Sequence, residues 1–261
     1  MRPIIAIAST TVGEAIRRRV LLVILLLAIV LLVVAPGLGI LSARSETTVL
    51  KGMMLGIIQL FSAVIAIVLT VYMIPNEIER RTIYTILSKP VQRWQFLVGK
   101  YLGAVAALAL MMALMCVVLV VVFIIEHQDL AAVADVLKAP MMYFVQMSLL
   151  AAVAIFFSTF VAPLVNFFLT GGLFLLGSLF NPFFQTLQDN ASTNPVAKNA
   201  AMIVNTILPN FSNYNIQNPI INPNSQIQNE KTYYISITFY GLCYITILLV
   251  AGIWVFDRRE V

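Results

Sequence analysis

Residues 77–103 read EIERRTIYTILSKPVQRWQFLVGKYLG and hold the main polar cluster of the chain. The pair Gly99-Lys100 belongs to the vocabulary of phosphate-binding loops. There, backbone N–H groups cradle phosphates, the lysine reaches the terminal ones, and a following Ser or Thr holds magnesium. In this sequence Trp94 stands at the upstream glycine position and Tyr101 replaces the hydroxyl residue, so a P-loop is excluded. A second group, Glu126, His127, Asp129 and Asp135 in EHQDLAAVADVLK, offers metal-ligand chemistry. With a single histidine in the whole chain and carboxylates that do not converge, it reads as a solvated outer loop. Neither HExxH nor GxSxG nor a glycine-rich dinucleotide fingerprint occurs, which leaves metalloprotease, hydrolase and Rossmann chemistry unsupported.

What the cluster offers instead is a surface for docking. Ile83, Ile86 and Leu87 fall on one face of a predicted short helix, with Glu79 in its first turn, where a carboxylate complements the positive helix end, and Pro90 to stop it. Arg80, Arg81, Tyr84 and Ser88 cover much of the remaining surface. The residues by themselves leave open an alternative, a basic loop lying on lipid.

The elements that must position this segment are membrane spans. Of 261 residues 61% are hydrophobic and 10% charged, with a mean hydropathy of +0.97, whereas soluble domains carry about a quarter charged residues. A bilayer core about 30 Å thick needs roughly 20 apolar residues per helix. Six such runs, approximately 20–41, 52–75, 101–125, 141–161, 163–184 and 232–256, predict an all-α polytopic membrane protein forming one transmembrane domain over 1–261. The first run is too long for the apolar core of a signal peptide and is expected to be retained. As drawn, the spans have no charged side chain or histidine in their interiors, which disfavours a proton-coupled carrier. Their neutral polar residues, Gln59, Ser62, Thr70, Gln146, Ser148, Ser158, Asn166, Thr170, Ser236, Thr238 and Thr246, are expected to bond between helices or to their own carbonyls. Cys116 and Cys243 fall in separate spans and read as buried apolar thiols.

Basic residues orient the chain, because short cytoplasmic loops are enriched in them. With both termini inside, Arg2, Arg17, Arg18, Arg19, Arg80, Arg81, Lys89, Arg93, Lys100, Arg258 and Arg259 are cytoplasmic, 11 of the 16. The net charge of +5 is thereby a topology signal with anionic-lipid contact and requires no nucleic-acid partner. Before the first span, Ile5, Ala8, Val12 and Ile16 recur at helical spacing opposite Thr10, Glu14 and Arg17, predicting an interfacial helix on which Glu14 and Arg18 are spaced i, i+4. Pro36 and Gly37 are expected to kink or end the first span. Ala162 and Pro163 join the fourth and fifth spans in a tight hairpin, and Gly52/Gly56 and Gly99/Gly103 form small-xxx-small pairs. Residues 185–231 make an enlarged, asparagine-rich outer segment broken by prolines, with a short helix predicted at 196–208. Its Asn190-Ala191-Ser192 and Asn210-Phe211-Ser212 match the glycosylation pattern only as far as chance provides in such a composition.

The order Glu77, Glu79, Thr82, Ile83, Leu87-Ser88-Lys89-Pro90-Val91, Arg93, Phe96 and Gly99-Lys100 resembles the loop between the second and third spans of ATP-binding-cassette (ABC) transporter permeases of the type 2 exporter class. The layout of interfacial helix, six spans, enlarged outer segment and short basic tail is similar as well. The resemblance implies a non-catalytic permease subunit of an exporter in a cell membrane, bacterial inner or plasma, paired with a second copy or paralogue. It also implies a coupling helix, with Glu77, Glu79, Thr82, Ile83, Leu87, Ser88, Lys89, Pro90 and Arg93 docking a separate cytoplasmic ABC ATPase that holds the ATP and magnesium; Arg80, Arg81 and Ile86 complete that surface. No cofactor is expected in this chain. A non-transporting membrane scaffold that recruits a cytoplasmic protein is the other reading the sequence allows.

Overall fold

Long apolar runs fold into helices because a backbone in hydrocarbon must satisfy its own polar groups. The computed structural model describes residues 2–39, 46–79, 92–126, 130–180, 209–216 and 229–258. Helix α1 spans Arg2–Arg17, α2 Arg19–Gly39, α3 Glu46–Val71, α4 Met73–Glu79, α5 Arg93–Ile125, α6 Leu130–Ser158, α7 Pro163–Leu175 and α8 Glu230–Arg258. Alpha7 continues into a π-helical turn, Leu176–Phe180, and a 3-10 turn lies at Ser212–Tyr214. Among the described residues there is no strand. Five helices, α2, α3, α5, α6 and α8, are long and apolar enough to cross a membrane, and α7 is a shorter apolar helix. The fold is therefore all-α and multi-pass.

Several boundaries differ from the sequence expectation. Alpha5 begins at Arg93 and runs for 33 residues, about 50 Å at 1.5 Å per residue. That exceeds a bilayer core, and Lys100 falls inside the helix where the sequence placed it before a span. Its first turn is closed by Gln92, whose N–H donates to Gln95 Oε1 at 3.3 Å. Alpha6 starts at Leu130, so most of the expected acidic loop is helical. The reason is that Val133 and Val136, three apart on one face, are buried against the bundle. Asp135 there pairs with Lys138 at 2.8 Å, and Lys138 also reaches Glu230 at 3.3 Å, tying α6 to the start of α8. Pro36 lies inside α2, which continues to Gly39. The predicted helix at 196–208 and the residues Asn190, His127 and Asp129 lie outside the described residues.

The tight hairpin is present. Alpha6 ends at Ser158, Val161 N donates to Phe157 O at 2.8 Å, and Pro163 opens α7. Buried Asn166 locks it by donating to Ala154 O at 2.9 Å while its carbonyl accepts from Thr170 at 2.8 Å. The other neutral polar groups behave as expected of hydroxyls in lipid. Ser62, Thr70, Ser148, Ser158, Ser236 and Thr246 each donate to a carbonyl one turn back. Gln59 donates across helices to Gln146 at 3.3 Å. Cys116 is half-buried and Cys243 exposed, and both thiols are free.

Candidate functional site

Alpha1 lies across the first turns of α5, and two glycines make this possible. A Cβ on Gly103 would stand 2.6 Å from Thr11 Cβ and 2.8 Å from Ala8 O; one on Gly99 would stand 3.0 Å from Ile7 Cβ. Without side chains there, the two backbones approach closely. Thr11 turns its hydroxyl back to Ile7 O at 2.8 Å, which leaves its methyl face for Gly103. Thr11 and Ala15 are buried, whereas Ile5, at 68%, and Ile16 remain exposed. The protein-facing side of α1 is thus rotated from the stripe Ile5, Ala8, Val12 and Ile16 predicted by periodicity. That stripe marked the greasiest face, while the packed face was chosen by the glycines opposite it.

One turn of α5 carries Lys100 between these glycines. Its ammonium, 3% exposed, lies 2.7 Å from Glu77 Oε1 and 3.6 Å from Glu14 Oε2. Glu77 is itself only 13% exposed, so this pair is largely shielded from water, while half-exposed Glu14 is screened and contributes less. Lys100 therefore joins three elements, α1, α4 and α5. Alpha4 is in turn anchored by buried Met73 and Ile74. Glu14 faces Lys100, and Arg18 sits at the break between α1 and α2, so the i, i+4 pairing expected from spacing gives way to a tertiary one.

The same end of the bundle receives the last helix. Arg93 Nη1 donates to the carbonyls of Phe256 and Asp257 at 3.2 and 3.3 Å, at the C-terminus of α8 where free carbonyls favour a cation. The Phe96 and Phe256 rings stack with centroids 6.2 Å apart, and the Arg258 guanidinium lies 3.8 Å above Trp254. Lysine, arginine, carboxylates and stacked rings form a joint that holds α1, α4, α5 and α8 together at this end. Among the described residues no three His, Cys, Asp or Glu side chains gather to hold a metal.

Of the residues expected to dock a partner, Glu77 and Arg93 are brought to this joint, and both bond within the chain. Glu79 is the last residue of α4. Arg80, Arg81, Thr82, Ile83, Ile86, Leu87, Ser88, Lys89 and Pro90 lie outside the described residues. Sequence reasoning missed Glu14, Thr11 and Lys100 as a unit. The one signal that could have found it is a lysine enclosed by a Gly-xxx-Gly pair at a span's start, since such a groove calls for a partner helix.

Compared with known families, the sequence matches the one described as ABC-2 family transporter protein over residues 5–261. The chain belongs to the ABC-2 transporter family. No curated protein matches it. The permease is thus a multi-pass transporter membrane protein in which the paired Glu77 and Lys100 flank residues 80–91 in the sequence.

At the opposite end of the permease, residues 209–216 insert between helices. Phe211, Tyr214 and Ile216 are buried, and Phe211 packs edge-on against Phe174 with centroids 5.6 Å apart. Tyr214 fits over Gly241 of α8, where a Cβ would meet its hydroxyl at 2.5 Å, and Phe211 fits over Gly177 in the same way. Gln146, buried in α6, donates to Phe211 O at 2.9 Å and accepts from Gln59 of α3, so this insertion is wired to two spans. Asn210 is nearly buried, with Oδ1 accepting from the N–H and hydroxyl of Ser212.

Proposed function

We propose that the permease is the membrane subunit of an ATP-driven exporter, crossing six times with both termini and the 77–100 segment in the cytoplasm. A separate ABC ATPase, holding ATP and magnesium, docks on residues 80–91, and a second permease copy or paralogue completes the path. Catalysis belongs to the ATPase, and this chain is its non-catalytic lever. The observation that carries the reading is the 2.7 Å Glu77–Lys100 pair, which ties the two roots of the docking segment to each other and to α1. Displacement of the segment is then passed to α3, α5 and α1 as rigid bodies, where a free loop would dissipate it in lipid. A sixth crossing is supported by α7 with its π-helical turn, 13 and 5 residues, together about 27 Å long, close to a bilayer core.

Affinity purification of the chain from its native membranes tests this. The wild type should retain an ATP-hydrolysing subunit. Ile83→Asp and Leu87→Asp should insert normally and retain it about thirtyfold less, the loss expected when an apolar anchor of about 2 kcal/mol meets a buried charge. Full retention by both variants would make 80–91 a lipid-facing loop. A retained partner without a nucleotide site would favour a scaffold. Arg93 makes a poor rim control, because its guanidinium is engaged by the end of α8.

A further inference from the structure

A groove of about 680 Å³ opens on the outside of the bundle where α2 begins, α3 ends and α7 begins, a size in the range of about 300–1,000 Å³ that holds small-molecule ligands. Arg18 and Arg19 line it where α1 passes into α2. On two sides the lining becomes apolar about one turn deeper into the bundle, where Tyr72 gives way to Val68 and the arginines to Leu21, while α7 contributes only apolar side chains, Leu164, Phe167 and Phe168. Among the described lining residues the charged groups are the two arginines, and there is no carboxylate. Leu164 and Phe168 are largely exposed, which leaves the apolar walls open sideways at the depth of the membrane-crossing helices.

Two arginines at one end of an open apolar trough match one occupant in both charge and depth. We propose that this groove is a binding site for an anionic phospholipid, its phosphate between Arg18 and Arg19 and an acyl chain along Val68, Phe167 and Phe168. The guanidinium fork suits phosphate oxygens bidentately, and the trough removes an acyl chain from the mobile bilayer. Arg18 is also the residue at which α1 passes into α2, its carbonyl accepting from Leu21 and Leu22 at 3.1 and 3.2 Å. A bound headgroup therefore braces the α1–α2 junction, next to the Lys100 joint. The site stands independently of any ATPase.

Native mass spectrometry of delipidated, detergent-solubilised permease, titrated with phosphatidylglycerol, reads the site directly. One tightly held molecule per chain is expected. In Arg18→Gln/Arg19→Gln its affinity should fall about thirtyfold, as two basic residues at a membrane surface warrant, while Arg17→Gln, changed outside the groove, should bind like the wild type. Val68→Trp should block binding with both arginines in place. Phosphatidylcholine should bind the wild type no better than phosphatidylglycerol binds the double variant. Equal phosphatidylglycerol affinity in the double variant overturns the proposal, as does inorganic phosphate binding as tightly as the lipid. A disulfide-linked dimer formed in membranes by Phe168→Cys would put a second copy in the groove and equally overturn it.

Discussion

Lys100→Met is expected to destabilise the permease by about 3–5 kcal/mol, the cost of removing one partner from a shielded ion pair. The methionine fills much of the space of the lysine stem, so the loss comes from the charge. Glu77, 13% exposed and 2.7 Å from the ammonium, then faces a thioether. Alpha1 and α4 lose their common tether at the same time. The midpoint of thermal unfolding in detergent should drop by several degrees, and ATP-driven activity of the proposed complex with its ATPase in proteoliposomes should fall at least about tenfold, within the usual range of coupling energies. Lys100→Met with Glu77→Gln separates the two effects. Removing both charges should recover most of the stability, because neutral replacements of buried ion pairs are often tolerated. Activity should stay low, because the tether is still missing. A double variant with full activity would show that the pair is structural only.

Gly103→Val should be damaging by a different route. Its Cβ would lie 2.6 Å from Thr11 Cβ and 2.8 Å from the Ala8 carbonyl, and the latter is backbone that cannot swing aside. Overpacking of this kind costs about 1–3 kcal/mol. Here the cheaper response is for α1 to leave α5, taking Glu14 away from Lys100. A zero-length carbodiimide crosslink between Glu14 and Lys100, 3.6 Å apart, should form in the wild type and fail to form in Gly103→Val. Gly13→Ala is the control on the same helix, since its Cβ meets nothing within 4 Å. It should leave crosslinking intact and stabilise α1 slightly, as alanine exceeds glycine in helix propensity by about 0.8–1.0 kcal/mol. Loss of crosslinking in both variants would point to a general weakness of α1.

The helices were legible because a chain in hydrocarbon has little choice, and uncharged runs of sufficient length must close their own hydrogen bonds. The neutral polar residues were legible for the same reason: Thr70 or Ser148 has only a neighbouring carbonyl to turn to. The family was readable in the order of residues 77–100, and the match over 5–261 bears it out. What escaped was set by contacts distant in sequence. Lys100 reads as a flanking cation until Glu14 and Glu77 are known to converge on it. The asparagine-rich stretch reads equally as a cap on the membrane surface or as a linker until Phe211 and Tyr214 are seen to fill hollows over Gly177 and Gly241. Two bulky aromatics among asparagines were the available signal, but only the facing glycines give them a place to go. The docking surface itself, Ile83, Ile86 and Leu87 above all, lies outside the described residues and stands as a proposal.

The central claim is that a nucleotide-binding subunit sits on that surface. Ser88→Cys tests it most directly, carrying a photoactivatable crosslinker in native membranes to which a photoreactive ATP analogue is also added. The account predicts one dominant adduct, labelled by the ATP analogue and absent when Leu87→Asp is combined with Ser88→Cys. A cysteine at Ser88 that captures no nucleotide-labelled protein, or that reacts from outside intact cells with an impermeant reagent while one at Asn213 does not, would contradict it.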